Sequence, residues 1–182
     1  GVATGSISSS NPNLQNIPID GLEFGKQYDV NIRASFQSDK GWTFVSADYS
    51  QIELRIAAYV SNSFSMKRCY KLGEDIHAKT ASAVAKCRLE DVTPKQRSAA
   101  KAVNFGFLYG MWWKSFKEYA FDSYGLIVTD EEAQEARKAF FELYPELEGW
   151  HENQKQYVRK HQYVKTLLGR IRHLPNISSP DK

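Results

Sequence analysis

Residues 93–110 read TPKQRSAAKAVNFGFLYG, and this stretch carries the strongest helix signal in the chain. Thr93 can cap a helix, Pro94 suits the first helical position, and Gln96 completes the capping-box pattern. We therefore expect a helix that begins at Pro94 and ends at about Tyr109. The remaining elements are predicted outward from this helix.

One face of the expected helix combines charge with aromatic rings. Four side chains recur at every fourth position: Arg97, Lys101, Phe105 and Tyr109. They trace a stripe roughly 18 Å long over an arc of about 120°. Cations can hold phosphates while a ring stacks on a base, so the stripe suits a nucleoside triphosphate, and Gly106 would let another flat group approach. The spacing is also compatible with core aromatic residues and solvated cations.

A second candidate site lies upstream, where a β-favouring run ends in a carboxylate. Residues 42–48 (WTFVSAD) predict a strand, and helical spacing of apolar residues follows at once in SQIELRIAAYV. Ser50 with Glu53 fits the capping-box pattern, so we expect a helix from Ser50 and place Asp48 at the strand tip. An oxygen ligand there suits Mg²⁺, and it is equally compatible with a turn or cap residue.

Helices dominate the middle and end of the chain. Thr129 with Glu132 predicts another capped helix, which Pro145 ends, and a further helix is expected over about 146–161. Residues 163–175 (YVKTLLGRIRHLP) show two β-favouring arms around a glycine, which is typical of a hairpin. These elements together predict an α+β fold.

Composition limits the cellular location and the partners that the protein can have. The 182 residues are 42% apolar, enough for a core of ordinary size, and no run approaches the roughly 20 apolar residues that span a bilayer. We expect a cytoplasmic or other intracellular protein without a membrane partner, and reduced thiols at Cys69 and Cys87. From Trp150 onward, the sequence has seven cationic residues and two anionic ones. This excess of positive charge suits contact with a phosphate backbone and is also compatible with a solvated surface.

Two stretches resemble a known family. Residues 97–110 (RSAAKAVNFGFLYG) resemble motif B of family A DNA polymerases, and residues 45–59 (VSADYSQIELRIAAY) resemble motif A, in the family's order and at a similar separation. Three flanking stretches are also similar: TGSISSSNPNLQNIP at 4–18, GEDIHAKTA at 73–81 and the segment 163–175. The resemblance covers essentially the whole chain.

The resemblance implies roles in catalysis and phosphate binding. Asp48 would bind two catalytic Mg²⁺ ions with help from the carbonyl of Tyr49. Arg97 and Lys101 would hold the triphosphate of a dNTP, and Lys101 would also protonate the departing pyrophosphate. His77 would contact a phosphate oxygen.

The same resemblance implies roles in selecting the nucleotide. Phe105 and Tyr109 would shape the pocket for its sugar and base. Glu53 would crowd the sugar 2′ position and bond to Tyr109, which selects deoxyribonucleotides, and this is compatible with its capping role. Gln51 would support the same site.

Two departures from the family bear on the partners. Ser6 stands where the family usually has an Arg that grips the primer end. The sequence after His173, Leu174 and Pro175 does not reach the family's His-Asp-Glu motif, which supplies the second catalytic Asp. We therefore expect a complementing palm and thumb segment, and an isolated chain that does not extend a primer.

The implied organisation is a mostly helical fingers subdomain attached to a small piece of antiparallel palm sheet. Residues 1–60 would form a partial palm with motif A, 61–175 the fingers, and 176–182 a return to the palm. The implied function is template-directed transfer of dNMP to a primer 3′-hydroxyl, with primer-template DNA and dNTPs as partners. A catalytically incomplete nucleotide- or DNA-binding module is the alternative. A single-subunit RNA polymerase relative is a third possibility, against which Glu53 argues.

Overall fold

The computed structural model describes residues 7–13, 15, 17 and 32–177, and these ranges are mostly helical with one small sheet. The α-helices in the described residues are α1 (Ile52–Val60), α2 (Phe64–Lys71), α3 (Ile76–Ala85), α4 (Pro94–Leu108), α5 (Trp113–Tyr124), α6 (Asp130–Leu143) and α7 (Pro145–His161). Single 3₁₀ turns are at Ile32–Ser35 and Leu89–Asp91, and the strands β1 (Tyr163–Lys165) and β2 (Ile171–His173) form a two-stranded antiparallel sheet. The α+β class expected from the sequence is confirmed.

The chain divides into two compact units. One comprises Gly1–Tyr49 and Lys165–Arg172, and the other comprises Ser50–Val164 and His173–Lys182. The turn of the predicted hairpin belongs to the first unit, where the Thr166 N–H donates to the Arg170 carbonyl at 2.9 Å. Gly169 in this turn has φ +84°, a left-handed conformation that favours glycine. The hairpin prediction is confirmed.

Helix α4 is the central element of the second unit, where it packs against α3, α5 and α6. The Phe107 ring lies 4.5 Å from that of Phe116 on α5 and 5.8 Å from that of Phe140 on α6, between ring centroids. A Cβ atom on Gly106 would lie 2.8 Å from Cδ2 of Phe116. The flat group that Gly106 is expected to admit is therefore the ring of Phe116 in the core, and α4 and α5 pack closely at this glycine.

Local capping explains where the central helices begin. At α4 the Thr93 hydroxyl accepts from the Gln96 N–H at 3.2 Å, and Gln96 Oε1 accepts from the Thr93 N–H at 2.8 Å. Thr129 and Glu132 repeat this reciprocal pair at α6, with distances of 3.2 and 2.8 Å. Both predicted capping boxes are confirmed, and α7 follows from Pro145 as expected.

Two predictions upstream of α1 are wrong. Residues 42–48 form no strand, and α1 begins at Ile52 after Gln51, whose φ of 54° is left-handed, without a side-chain cap. The Ser50 carbonyl instead accepts a hydrogen bond from Nε of Arg55 at 2.9 Å. A strand needs a neighbour for its N–H and C=O groups, and no other segment in the described ranges pairs with 42–48.

Three further predictions concern the cysteines, membrane-spanning helices and Ser6. Cys69 is buried, Cys87 is half-buried, and both are free thiols, as expected. Among the helices of the described residues, none has the length and apolar character that spanning a bilayer requires. Ser6 lies outside the described residues.

Candidate functional site

The stripe predicted on α4 lies on the side of the helix that the core leaves open. Arg97, Lys101 and Phe105 are half-buried, and Tyr109, which caps the C-terminus of α4, is 61% exposed. Part of the Phe105 ring packs against the core. Phe105 is therefore partly a core residue, whereas Tyr109 is not a core residue.

Asp75 joins Arg97 to the beginning of α3. One carboxylate oxygen caps α3 by accepting from the backbone N–H groups of His77 and Ala78 at 2.9 and 3.1 Å, and the other accepts from Nε of Arg97 at 2.5 Å. Partial burial alone would raise the pKa of Asp75, but the hydrogen bonds from Arg97 and from the two backbone groups outweigh burial and lower it. A guanidinium carries five N–H donors, so pairing through Nε leaves donors for a further anion.

His77 lies beside this ion pair and is only 4% exposed. Its Nδ1 is 2.8 Å from Nδ2 of Asn104 on α4, and its ring centroid is 6.2 Å from that of Phe105. Burial lowers the pKa of His77, and the nearby Arg97 and Lys101 charges add to this effect, while Asp75 opposes it. At neutral pH the imidazole is therefore uncharged and can act as a hydrogen-bonding group rather than as a cation.

Lys101 lies one turn after Arg97 on α4. It forms no ion pair with any residue in the described part of the chain. Its positive charge, with that of Arg97, contributes to the lowered pKa of His77. Arg97 and Lys101 thus provide two cationic groups on one face of α4, as an anionic ligand requires, while His77 on α3 is buried.

Glu53 and Tyr109 lie in the same neighbourhood. Glu53 is exposed in the first turn of α1, directly after the N-terminal flank at Gln51. Burial raises the pKa of the Tyr109 hydroxyl, and the charge of Glu53 raises it further. The two side chains, both within the described residues, are not hydrogen-bonded to each other. The expected pairing of Glu53 with Tyr109 stays a prediction.

Asp48 and Tyr49 end the first stretch of the other compact unit, and both are exposed. A carboxylate and a backbone carbonyl are hard oxygen donors, so they fit Mg²⁺ in kind. In number they fall short of octahedral coordination, and the described residues hold no cluster of three His, Cys, Asp or Glu side chains that could bind a metal. This donor set alone therefore does not complete a magnesium site.

Sequence reasoning missed Asp75 and Asn104. Asp75 directly precedes the helical run IHAKTASAVA, and an Asp in that position is an N-cap signal. Asn104 interrupts an otherwise apolar face of α4, and a polar residue on such a face signals a buried hydrogen-bond network. Both signals are visible in the sequence, although neither identifies its partner on another helix.

The family model of DNA polymerase family A matches residues 1–182, and the chain belongs to this family. It is 40% identical over 177 residues to "DNA polymerase I, thermostable" of Thermus aquaticus. The aligned region covers 97% of this chain and 20% of that protein. It is 41% identical over 172 residues to DNA polymerase I of Aquifex aeolicus, which covers 93% of this chain and 28% of that protein.

A solved structure matches over the full chain. The POL domain of Pol1 from M. smegmatis, in complex with DNA primer-template and dNTP, has a TM-score of 0.79 and 33% sequence identity over 100% of this chain and 30% of that chain. This chain spans about a fifth of the Thermus relative and less than a third of the others.

Proposed function

We propose that this chain is the dNTP-binding part of a polymerase that transfers dNMP to a primer 3′-hydroxyl under the direction of a template. The observation that carries the proposal is the open face of α4, where Arg97 and Lys101 lie beside the neutral His77. Membership of DNA polymerase family A supports it. The protein in the matching solved complex is bound to primer-template DNA and dNTP.

Three residues would act on the phosphates. Arg97 and Lys101 neutralise the charge of the triphosphate, and His77 donates a hydrogen bond to a phosphate oxygen. The primer 3′-hydroxyl loses its proton to solvent, its oxygen attacks the α-phosphorus, and the bond between the α-phosphorus and the pyrophosphate oxygen breaks. Lys101 then donates a proton to the departing pyrophosphate. Positioning and charge neutralisation account for most of the catalysis in such reactions.

The sugar and base would be held by the aromatic end of the stripe. Tyr109 is exposed and Phe105 is half-buried, so both rings can present a surface to the nucleotide. Glu53, near Tyr109, crowds the 2′ position of the sugar and disfavours ribonucleotides. Gln51, at the beginning of α1, supports this wall of the pocket.

Asp48 and the carbonyl of Tyr49 would hold Mg²⁺ together with substrate phosphates. Bound magnesium, two ions in the complete site, lowers the pKa of the attacking hydroxyl and neutralises charge on the phosphates. The remaining carboxylate would come from a complementing segment with the His-Asp-Glu motif.

The proposed organisation places residues 1–60 in the palm, 61–175 in the fingers and 176–182 in a return to the palm. The compact units divide after Tyr49, so α1 groups with the helical unit in this chain.

One observation favours a second candidate, a module that binds nucleotide or DNA without chemistry. The described residues contain no group of three metal-ligating side chains, so this part of the chain alone cannot fix two metal ions. Binding without catalysis is therefore the expected behaviour of the isolated chain.

Primer extension tests the proposal. The chain alone should not extend a primer, whereas the chain mixed with a palm and thumb fragment of a relative should. Arg97→Ala and Lys101→Ala should each weaken dNTP binding, by about 1.5–3 kcal/mol for a hydrogen bond to a charged group. Lys114→Ala, on α5, is a matched control that should bind as wild type. Unaltered binding in both α4 variants would contradict the proposed site.

A further inference from the structure

A series of buried polar side chains, joined by hydrogen bonds, runs through the helical unit and ends at His77. Thr80, Asn104 and Tyr144 are each 0% exposed. The Tyr144 hydroxyl lies 3.1 Å from Thr80 Oγ1, which lies 2.8 Å from Asn104 Oδ1, and Asn104 Nδ2 lies 2.8 Å from His77 Nδ1. Four side chains from α3, α4 and the α6–α7 junction are therefore connected.

The donors and acceptors in this series of hydrogen bonds follow one direction. The Thr80 hydroxyl lies 2.8 Å from the amide oxygen of Asn104 and 3.0 Å from the Ile76 carbonyl, so its single proton is shared between these two acceptors, and the buried Tyr144 hydroxyl can in turn donate to Thr80. The amide oxygen thus faces Thr80, so the amide nitrogen faces the imidazole. Since an amide nitrogen only donates, Nδ1 of His77 must accept. A neutral imidazole that accepts at Nδ1 carries its proton on Nε2.

The charged imidazole does not fit the same contacts. An imidazolium carries protons on both nitrogens, and its Nδ1–H would face the N–H of Asn104. The charged groups around the ring are Asp75 at the beginning of α3 and Arg97 and Lys101 on α4. Burial lowers the pKa of His77, and the two cations outnumber the one carboxylate.

We propose that Asn104 is a positioning residue that fixes His77 as a neutral imidazole with its proton on Nε2, so that His77 can donate to an acceptor-only ligand. A phosphate oxygen of the incoming nucleotide is such a ligand, and this clause of the inference rests on the proposed function. Asn104 acts through His77 and needs no contact with the nucleotide itself.

The composition of α4 agrees with this role. A buried Asn is less favourable in a helix interior than the alanine and leucine that occupy neighbouring buried positions. Burying an amide is also costly unless its groups are hydrogen-bonded. An apolar side chain would serve packing alone, whereas an amide can accept from Thr80 through its oxygen and donate to His77 through its nitrogen at once.

Long-range ¹H–¹⁵N correlation of the imidazole nitrogens, in the full chain at pH 7.5, tests the proposal. His77→Gln identifies the His77 signals among those of the four histidines in the sequence. The wild-type chain should show a protonated Nε2 and an unprotonated Nδ1 at His77. A proton on Nδ1 would overturn the assignment, and this measurement needs no variant at Asn104.

Asn104→Asp tests the coupling, because a carboxylate accepts from Nδ1–H. The titration midpoint of His77 should rise by about one pH unit or more, as expected beside a carboxylate. An unchanged midpoint and tautomer in a folded variant would show that Asn104 does not control His77. Addition of dATP to the wild-type chain separates the two proposals. A shift of the Nε2–H signal supports the phosphate contact, whereas no shift with the expected tautomer rejects that contact and the proposed function but leaves the action of Asn104 on His77 supported.

Discussion

At the scale of single residues, Asp75 connects two groups of the candidate site. Its carboxylate caps the helix that carries His77 and pairs with Arg97 on the next helix. The side chains of Arg97 and Asp75 are 42% and 36% exposed, so the ion pair itself contributes about 0–1 kcal/mol to stability. The main effect of the pair is therefore on the orientation of Arg97.

Two substitutions separate the cap from the ion pair. Asp75→Asn keeps an efficient N-cap and loses the charge, whereas Asp75→Ala loses both, at an additional cost of about 1 kcal/mol of unfolding free energy. Both variants should bind dNTP more weakly, because Arg97 loses its anchor. Urea unfolding and calorimetric titration measure the two effects. Wild-type dNTP affinity in Asp75→Asn would show that the pair does not position Arg97.

Glu53 is the residue on which sugar selection depends in the proposed function. Glu53→Ala, in the reconstituted polymerase, should increase ribonucleotide incorporation relative to deoxyribonucleotide incorporation, because space opens at the 2′ position. Glu53→Gln keeps the size of the side chain and should keep most of the selection. The ratio of kcat/KM values for dATP and ATP gives the result, and an unaltered ratio in Glu53→Ala would reject the gate.

Stability is a separate consequence of changing Glu53. The carboxylate lies in the first turn of α1, where a negative charge stabilises a helix by about 0.3–1 kcal/mol. Both Glu53 variants lose this contribution equally, so a difference between them in sugar selection reflects size and not helix stability.

At the scale of elements, two of the three predicted capping boxes are confirmed, whereas the one at Ser50 and the predictions that depend on distant partners are not. The capping boxes at Thr93 and Thr129 depend on neighbours three residues away, so the sequence predicts α4 and α6 closely. The strand at 42–48 depends on partner strands that the described residues do not provide, and its prediction is wrong. Likewise, the stripe on α4 follows from spacing alone, whereas the contacts of Asp75 and Asn104 depend on how α3 packs against α4.

Close packing of α4 and α5 gives a prediction at this scale. Gly106→Ala places a methyl group 2.8 Å from Cδ2 of Phe116, so the helices must shift and stability should fall by about 1–3 kcal/mol. Gly149→Ala is the matched control, because nothing lies within 4 Å of its Cβ on α7. That variant should be stabilised by about 0.5–1 kcal/mol. Denaturant unfolding distinguishes them, and equal stabilities would show that the interface is loose.

At the scale of the whole molecule, the candidate residues belong to two compact units. The phosphate-binding and sugar-selecting candidates belong to the helical unit, whereas Asp48 and Tyr49 belong to the other. Sequence patterns and family resemblance predict this set of residues, because each lies within a short motif. The ligands that would complete a metal site in the proposed function cannot be predicted from the described residues, which hold no cluster of three metal-ligating side chains.

Stability of the helical unit should depend on pH through the buried His77 and the half-buried His151. Burial lowers the pKa of His77 below its ordinary value of 6.5. It also lowers the pKa of His151, whose Nε2 lies 2.7 Å from the Leu108 carbonyl at the end of α4, although that hydrogen bond opposes the effect. As the pH falls through 6.5, the unfolded chain binds protons at these positions before the folded chain does. The unfolding free energy should therefore be constant above about pH 7.5 and fall on acidification, by at most about 1.4 kcal/mol per pH unit for each histidine.

Urea unfolding between pH 7.5 and 5.5 measures this decline. The carboxylates with lowered pKa values, Asp75, Glu135 and Glu146, have ordinary values of 3.8, 4.5 and 4.5, so their contribution is lost below this window. His151→Gln should have a shallower decline, because the amide can still donate to the Leu108 carbonyl but does not titrate. His161→Gln combined with His173→Gln changes only exposed side chains and should keep the wild-type decline. Stability that is independent of pH in the wild-type chain would mean that neither buried imidazole is held neutral by the fold, and the role assigned to His77 as an uncharged donor would fail with it.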